Sequence, residues 1–154
     1  ENSTQNMVAL SEDLEALEMY VEMERLRLQG RFEFDLRIDD AINPDEVFIP
    51  PLIIQPLIEN AIWHGIDGDG GKAVISCSIK SGEHFLECTV ENPVGEHKVQ
   101  NPSYKRKSLG LALIQERLEL LNSIYNTNCK ISQEEVKKDY ISRITRIEIP
   151  LESD

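Results

Sequence analysis

Pro50-Pro51-Leu52-Ile53-Ile54-Gln55-Pro56-Leu57-Ile58-Glu59-Asn60-Ala61-Ile62-Trp63-His64-Gly65 sets an amide and an imidazole at helical spacing inside an otherwise apolar run. Asn60 and His64 are four residues apart, so on a helix they leave one face a turn apart. Ile53 and Leu57 continue that stripe inward, and Gly65 is placed to end the helix. Two such polar groups on a half-buried helix call for partners. By spacing alone, satisfied structural groups are the commoner outcome. The chemical alternative is an amide oxygen on a divalent cation and an imidazole on a phosphate, because Mg²⁺ takes oxygen ligands and is held through few protein groups plus nucleotide phosphates.

The 154 residues suffice for one domain with a real core and not for two comfortable ones. One compact domain with an N-terminal helical extension is the natural partition. The 28 acidic and 16 basic side chains give a net charge of −12, which disfavours direct nucleic-acid binding, since that is driven by neutralising many phosphates. A single nucleotide remains admissible, because one Mg²⁺ and a few local donors offset its charge. No apolar run approaches a membrane span and Glu1-Asn2-Ser3-Thr4-Gln5 does not read as a signal peptide, so the chain as given reads as soluble, without membrane contact of its own. Cys77, Cys88 and Cys129 are odd in number and lack metal-ligand spacing. They read as reduced core thiols, which fits a cytoplasmic compartment.

Ser11 followed by Glu12 and Asp13 reads as a helix start, and Leu10, Leu14, Leu17, Val21 and Leu28 then recur on one face until Gly30. Strict alternation from Arg31 to Asp39 puts Phe32, Phe34, Leu36 and Ile38 on one side of a strand. Loops through Asn43-Pro44-Asp45 and Pro50-Pro51 lead to the helix quoted above, and Asp67 to Gly71 reads as a connector. Ala73 to Ile79 and Phe85 to Val90 read as strands joined by the hairpin Ser81-Gly82-Glu83-His84. The polar, basic run Gly95 to Lys107 reads as a loop, and helical periodicity resumes from Leu109 to Tyr125. Lys130 to Gln133 and Tyr140 to Leu151 close the sheet. The expected fold is an α/β (α+β) two-layer sandwich, with a mixed sheet, helices on one face and an N-terminal helix. His84 and His97 read as solvent-facing and carry no chemical role.

Leu52 to Gly65 resembles the N-box of LytS-type sensor histidine kinases, which reads roughly Q-P-L-V-E-N-A-x-x-H-G. The match falls at Gln55, Pro56, Leu57, Glu59, Asn60, Ala61, His64 and Gly65. Tyr20-Val21-Glu22-Met23-Glu24-Arg25-Leu26-Arg27 is similar to the Y-L-x-I-E-x-x-R helix that precedes the ATP-binding domain in that family. Leu111 to Leu121, with Glu116-Arg117-Leu118-Glu119-Leu120-Leu121, is similar to its R-E-R-L-x-L-L helix. The resemblance runs from Leu10 to Leu151. It implies a two-component kinase with a C-terminal ATP-binding domain of the GHKL group and the Bergerat fold. Residues 1–30 would be the end of the preceding helix and residues 31–154 the ATP-binding domain.

The resemblance also implies roles. Asn60 would hold Mg²⁺ and His64 would support phosphate, with ATP the nucleotide. Glu59 would polarise the attacking nucleophile or stand behind it, although as the neighbour of Asn60 it points about 100° away on the helix. Laid on the family's V-x-D-x-G pattern, Thr89 to Gly95 puts Asn92 in place of the adenine-reading acid and Val94 in place of the glycine. A frame shifted by one would use Glu91 with Pro93 and Gly95, and a plain strand-ending turn at Asn92-Pro93 stays open beside both. The Asn92 frame keeps Val90 and Glu91 in strand register. Ser108-Leu109-Gly110-Leu111 resembles the G-x-G-L box that opens a helix against the phosphates, with Ser108 in place of the first glycine. The loop from Gly95 to Lys107 would be the ATP lid, with Lys98, Lys105, Arg106 and Lys107 as phosphate donors.

In the family the γ-phosphoryl passes to a histidine on an upstream dimerisation helix and then to a response-regulator aspartate. None of His64, His84 and His97 has the P-H-F-x-x-N setting of that acceptor, so the chain is expected to be a C-terminal fragment of a kinase anchored in the inner membrane. Its expected partners are its own phosphoacceptor helix, a dimer partner and a response regulator, of LytTR DNA-binding type. The rival reading is a degenerate module of the same fold that serves regulation or docking without nucleotide, to which Asn92, Val94 and Ser108 point. A stand-alone ATPase is disfavoured, since Pro56 sits where hydrolysing relatives keep a carboxylate one turn before the metal-binding Asn.

Overall fold

The structure is a computed structural model that describes residues 6–65, 73–94, 103–137 and 141–151. Along the chain come β1 (Val8–Ala9), α1 (Leu10–Arg27), β2 (Phe32–Ile38), β3 (Phe48–Ile49), α2 (Gln55–Gly65), β4 (Ala73–Ser81), β5 (Phe85–Val94), α3 (Ser103–Tyr125), β6 (Lys130–Lys137) and β7 (Ile141–Pro150). The connector from Asp67 to Gly71 lies outside the described residues.

Five strands form one mixed sheet in the order β2-β4-β5-β7-β6, parallel at β2-β4 and antiparallel elsewhere. Strand periodicity sorts its two faces. Ala73, Ile75, Cys77 and Ile79 of β4, Leu86, Cys88 and Val90 of β5, and Ile147 and Ile149 of β7 are buried in one core with the three helices. Val74 faces away from that core and is exposed. The layer of helices on one face of a mixed sheet is the architecture expected from the sequence. A shallow groove along Asp35, Arg37, Ser76 and Ser78 lies on the opposite face and contains no candidate site residue.

The first helix enters that core through Leu10, Leu14, Leu17 and Val21, the stripe read from the sequence. Its start differs from the expectation. The N-cap is Ala9 rather than Ser11, and Glu12 reaches back to accept the Ala9 N–H at 3.3 Å. The reason lies outside the helix: Leu10 and Ser11 donate their amides to the carbonyls of Val47 at 2.7 Å and Pro44 at 2.9 Å, so no serine cap is needed there. Beside this contact β1 pairs antiparallel with β3, Val8 opposite Ile49 and Ala9 opposite Phe48. At the other end Gly30, at φ +72°, donates to Arg25 O at 2.8 Å and closes the helix.

Candidate functional site

Proline suits the first turn of α2, where an amide hydrogen has no helical partner, and Ile54 O accepts from both Leu57 at 3.0 Å and Ile58 at 3.4 Å to start the helix. Ile58, Ala61 and Ile62 anchor it on β4 and β5. Along the Asn60 face burial increases toward the C-terminal end: Asn60 is half-buried, while His64, one turn on, is 2% exposed. Glu59 and Trp63 lie on the solvent side of the same helix. Glu59 accepts a hydrogen bond from Gln55 Nε2 at 3.1 Å. Tyr20 of α1 stands near it, and burial, followed by the Glu59 and Glu24 carboxylates, holds the phenol above its ordinary range.

The end of α2 lies over the end of β5. A β-carbon built on Gly65 would stand 3.6 Å from that of Asn92, 3.7 Å from that of Ala73 and 3.8 Å from Ile75 Cδ1. Ladder pairing carries β5 beyond Val90, where the sequence reading ended it, through Asn92 to Val94. Pro93 is tolerated because the β4 ladder stops at Glu91, opposite Ser76, while β7 pairing continues to Val94. Alternation then settles which side chain faces the helices. Asn92, in phase with Cys88 and Val90, is 2% exposed and turned inward, whereas Glu91 is on the other face. Asn92 Nδ2 donates to Pro93 O at 3.0 Å, which leaves its Oδ1 as the acceptor.

Opposite Asn92 on β7 stands Arg143, 3% exposed, which donates through Nη2 to Glu135 Oε2 of β6 at 2.6 Å. One step along, Thr145 Oγ1 accepts from Gln133 Nε2 at 3.0 Å. The core face of β5, β7 and β6 is thus apolar at the Leu86 and Ile149 end and polar at the Asn92 end. Sequence reasoning missed Arg143 and Thr145. The signal was present, because both alternate in phase with Ile147 and Ile149 and therefore share their buried face.

The last candidates move from loop to helix. α3 begins at Ser103, so Lys105, Arg106, Lys107 and Ser108 lie on its first turns, and Gly110 with Leu111 lies inside the helix rather than at its opening. From Ser103 to Leu109 nothing interrupts a helix, lysine and arginine propagate one well, and Pro102 immediately precedes it. A polar helix turn has no apolar periodicity and so reads as a loop in the sequence. The remainder of the expected lid, Gly95 to Pro102 with Lys98 and His97, lies outside the described residues. Farther on, Ile114 and Leu118 of α3 pack into the common core.

Among the described residues no three His, Cys, Asp or Glu side chains gather as metal ligands. The half-exposed Asn60 amide has the chemistry of a single oxygen ligand, of the kind a hard cation takes when phosphates supply the rest. Among the described residues no helix is long and apolar enough to cross a membrane.

No protein-family model matches the chain. It is 34% identical over 100 residues to the sensor histidine kinase/phosphatase LytS of Staphylococcus aureus strain Mu50, covering 64% of this chain and 17% of that one. To the sensor histidine kinase BtsS of Escherichia coli K12 it is 28% identical over 113 residues, covering 72% and 19%. The chain thus spans about a fifth of the length of the curated relatives it matches. The catalytic domain of histidine kinase ThkA superposes with a TM-score of 0.61 at 20% identity, covering 94% of each chain. ThkA in complex with the response regulator protein TrrA superposes with a TM-score of 0.56 at 17% identity, covering 92% of this chain and 41% of that one. The fold is that of a histidine kinase catalytic domain. The sequence relatives that the chain resembles, over 64–72% of its length, are sensor histidine kinases named LytS and BtsS.

Proposed function

We propose that this chain is the ATP-binding catalytic domain of a sensor histidine kinase and binds Mg-ATP for phosphoryl transfer to a histidine on an upstream helix. One observation carries the reading: the end of α2 that bears the buried His64 lies over the inward Asn92 of β5, with Gly65 against it. On this reading residues 31–154 are the ATP-binding domain and residues 1–30 the end of the preceding helix. The histidine kinase catalytic fold is a nucleotide-binding fold.

Asn60 would hold Mg²⁺ through its amide oxygen, and His64 would support phosphate from the buried end of the same face. Asn92 Oδ1 is the atom suited to accept from the exocyclic amine of adenine, and its burial excludes water from that contact. Lys105, Arg106 and Lys107, on the first turns of α3, would donate to the β- and γ-phosphates, whereas Ser108, Gly110 and Leu111 lie farther into the helix, where their amides belong to its own ladder and are not free for the phosphate role expected of them. Glu59, solvent-exposed and bonded to Gln55, is suited to a supporting role near the incoming nucleophile. Bound Mg²⁺ supplies charge neutralisation between the transferred and leaving phosphates. Phosphoryl transfer otherwise needs mainly positioning, which the packing of α2 on β5 provides.

The partner would be a response regulator, of LytTR DNA-binding type, with the acceptor histidine and the dimer contact supplied by the kinase's upstream helix. The kinase would work in the cytoplasm under a membrane anchor. The experiment is incubation with γ-labelled ATP, alone and with the histidine-bearing helix of a LytS-type kinase supplied in trans. Acid-labile label should appear on the helix and not on this chain. Label on neither partner, with no nucleotide bound, would favour the degenerate docking module.

A further inference from the structure

Asp13 lies one turn into α1 on the core stripe formed by Leu10, Leu14 and Leu17, and it is 7% exposed. An apolar side chain would fill that place at least as well. The carboxylate has a different use: its Oδ1 accepts the Leu52 N–H at 3.0 Å, across 39 positions of sequence. Leu52 adopts φ +59°, a left-handed conformation that a leucine rarely takes unless its surroundings hold it there. It stands three residues before Gln55, the first residue of α2, and between them the buried Ile53 and Ile54 turn the chain into the helix.

The same stretch is tied to α1 elsewhere. Leu10 and Ser11 donate to Val47 O and Pro44 O, and β1 pairs with β3. The first turn of α1 and the segment from Pro44 to Leu52 therefore form one clamped unit whose last bond, before α2 begins, is the one from Asp13. Burial works against the ionised carboxylate and the Leu52 amide offsets part of that cost.

We propose that Asp13 is a positioning residue for the nucleotide site: by holding Leu52 in its left-handed turn it sets the entry and rotation of α2, and so the direction of the one face that carries Asn60 and His64. This inference rests on the nucleotide reading given above. It also makes the placement of α1 against the sheet a determinant of nucleotide affinity, since α1 carries the group that fixes the entry of α2.

The test compares Asp13→Asn, which keeps an acceptor oxygen, with Asp13→Leu, which fills the stripe without one, in the full chain. Leu52 amide exchange, Trp63 emission and Mg-ATP affinity are read together; Trp63 is the only tryptophan and lies beside His64. Asp13→Asn should behave as the unsubstituted protein. Asp13→Leu should exchange the Leu52 amide roughly tenfold faster, as expected for a lost hydrogen bond, shift Trp63 emission and weaken Mg-ATP by about fivefold or more. Leu52→Gly, which adopts positive φ freely, should restore affinity in the Asp13→Leu background. If Asp13→Leu fails to fold, Asp13→Ala is judged by the same readouts. Unchanged Leu52 exchange and Trp63 emission, or faster exchange with unchanged affinity, would overturn the proposal. Failure of the unsubstituted protein to bind Mg-ATP would instead overturn the nucleotide reading, while the exchange and emission results still report whether Asp13 sets the entry of α2.

Discussion

Gly65, the last residue of α2, packs against Asn92 on β5, with 3.6 Å between the Asn92 β-carbon and the place where a side chain at position 65 would begin. The distance is ordinary van der Waals contact, so one carbon fits. Gly65→Ala should change stability by less than about 1 kcal/mol, whereas Gly65→Val, which pushes branches toward Asn92, Ala73 and Ile75, should cost about 1–3 kcal/mol. Denaturant unfolding of the two variants measures this. Equal stability would show that the helix end does not rest on the strand.

Asn92 and Glu91 separate the two possible base-reading frames, because β5 turns them to opposite faces. Asn92→Ala should weaken ATP binding by roughly 1–2 kcal/mol, the loss of one buried hydrogen bond. Glu91→Ala should leave it unchanged. Titration of both variants decides, and damage confined to Glu91→Ala would move adenine recognition to the other frame.

The carboxyl of Asp13 is raised above 3.8, first by burial, with the Leu52 amide opposing. Between 3.8 and the raised folded value, the folded protein holds a proton that the unfolded chain has released. Its contribution to stability is therefore full at and below that lower bound and declines as pH rises through the folded pKa. Asp13→Asn has no such charge to bury. Across a series of melting curves the unsubstituted protein should lose stability relative to Asp13→Asn as pH rises toward neutrality, and a constant difference would refute this account.

Cys77 and Cys88 are fully buried with their Sγ atoms 3.7 Å apart, and the hydrogen bond between them and burial push the Cys88 thiol well up. Burial also raises Cys129. Since the thiolate is the reactive form, alkylation of all three should follow unfolding rather than precede it. Mass spectrometry after mild alkylation should find the folded chain unmodified at Cys77 and Cys88.

Strongly periodic segments were legible from the sequence. The α1 stripe, the alternation of β2, the hairpin at Gly82 and the Asn60–His64 helix are found where period and turn chemistry put them. Features decided by tertiary partners were not legible. β1 and β3, two residues each, have no period to read, and α1 starts at Leu10 because Val47 and Pro44 supply its acceptors. Ser103 to Lys107 reads as loop because no apolar face marks it, although each residue there is compatible with a helix. Arg143 went unnoticed because a charged residue is assigned to solvent by default, while here Glu135 lets it face the core. The Asp13–Leu52 bond joins residues far apart in sequence and has no sequence signature.

The central claim, that α2 and β5 together form a Mg-nucleotide site, is tested most directly by calorimetry with ATP, with and without Mg²⁺, on the unsubstituted chain and on Asn60→Ala. The unsubstituted chain should bind in roughly the micromolar to millimolar range, with affinity strengthened by Mg²⁺, and Asn60→Ala should lose that Mg²⁺ dependence. Absence of binding heat, or the same Mg²⁺ dependence in Asn60→Ala, would contradict it.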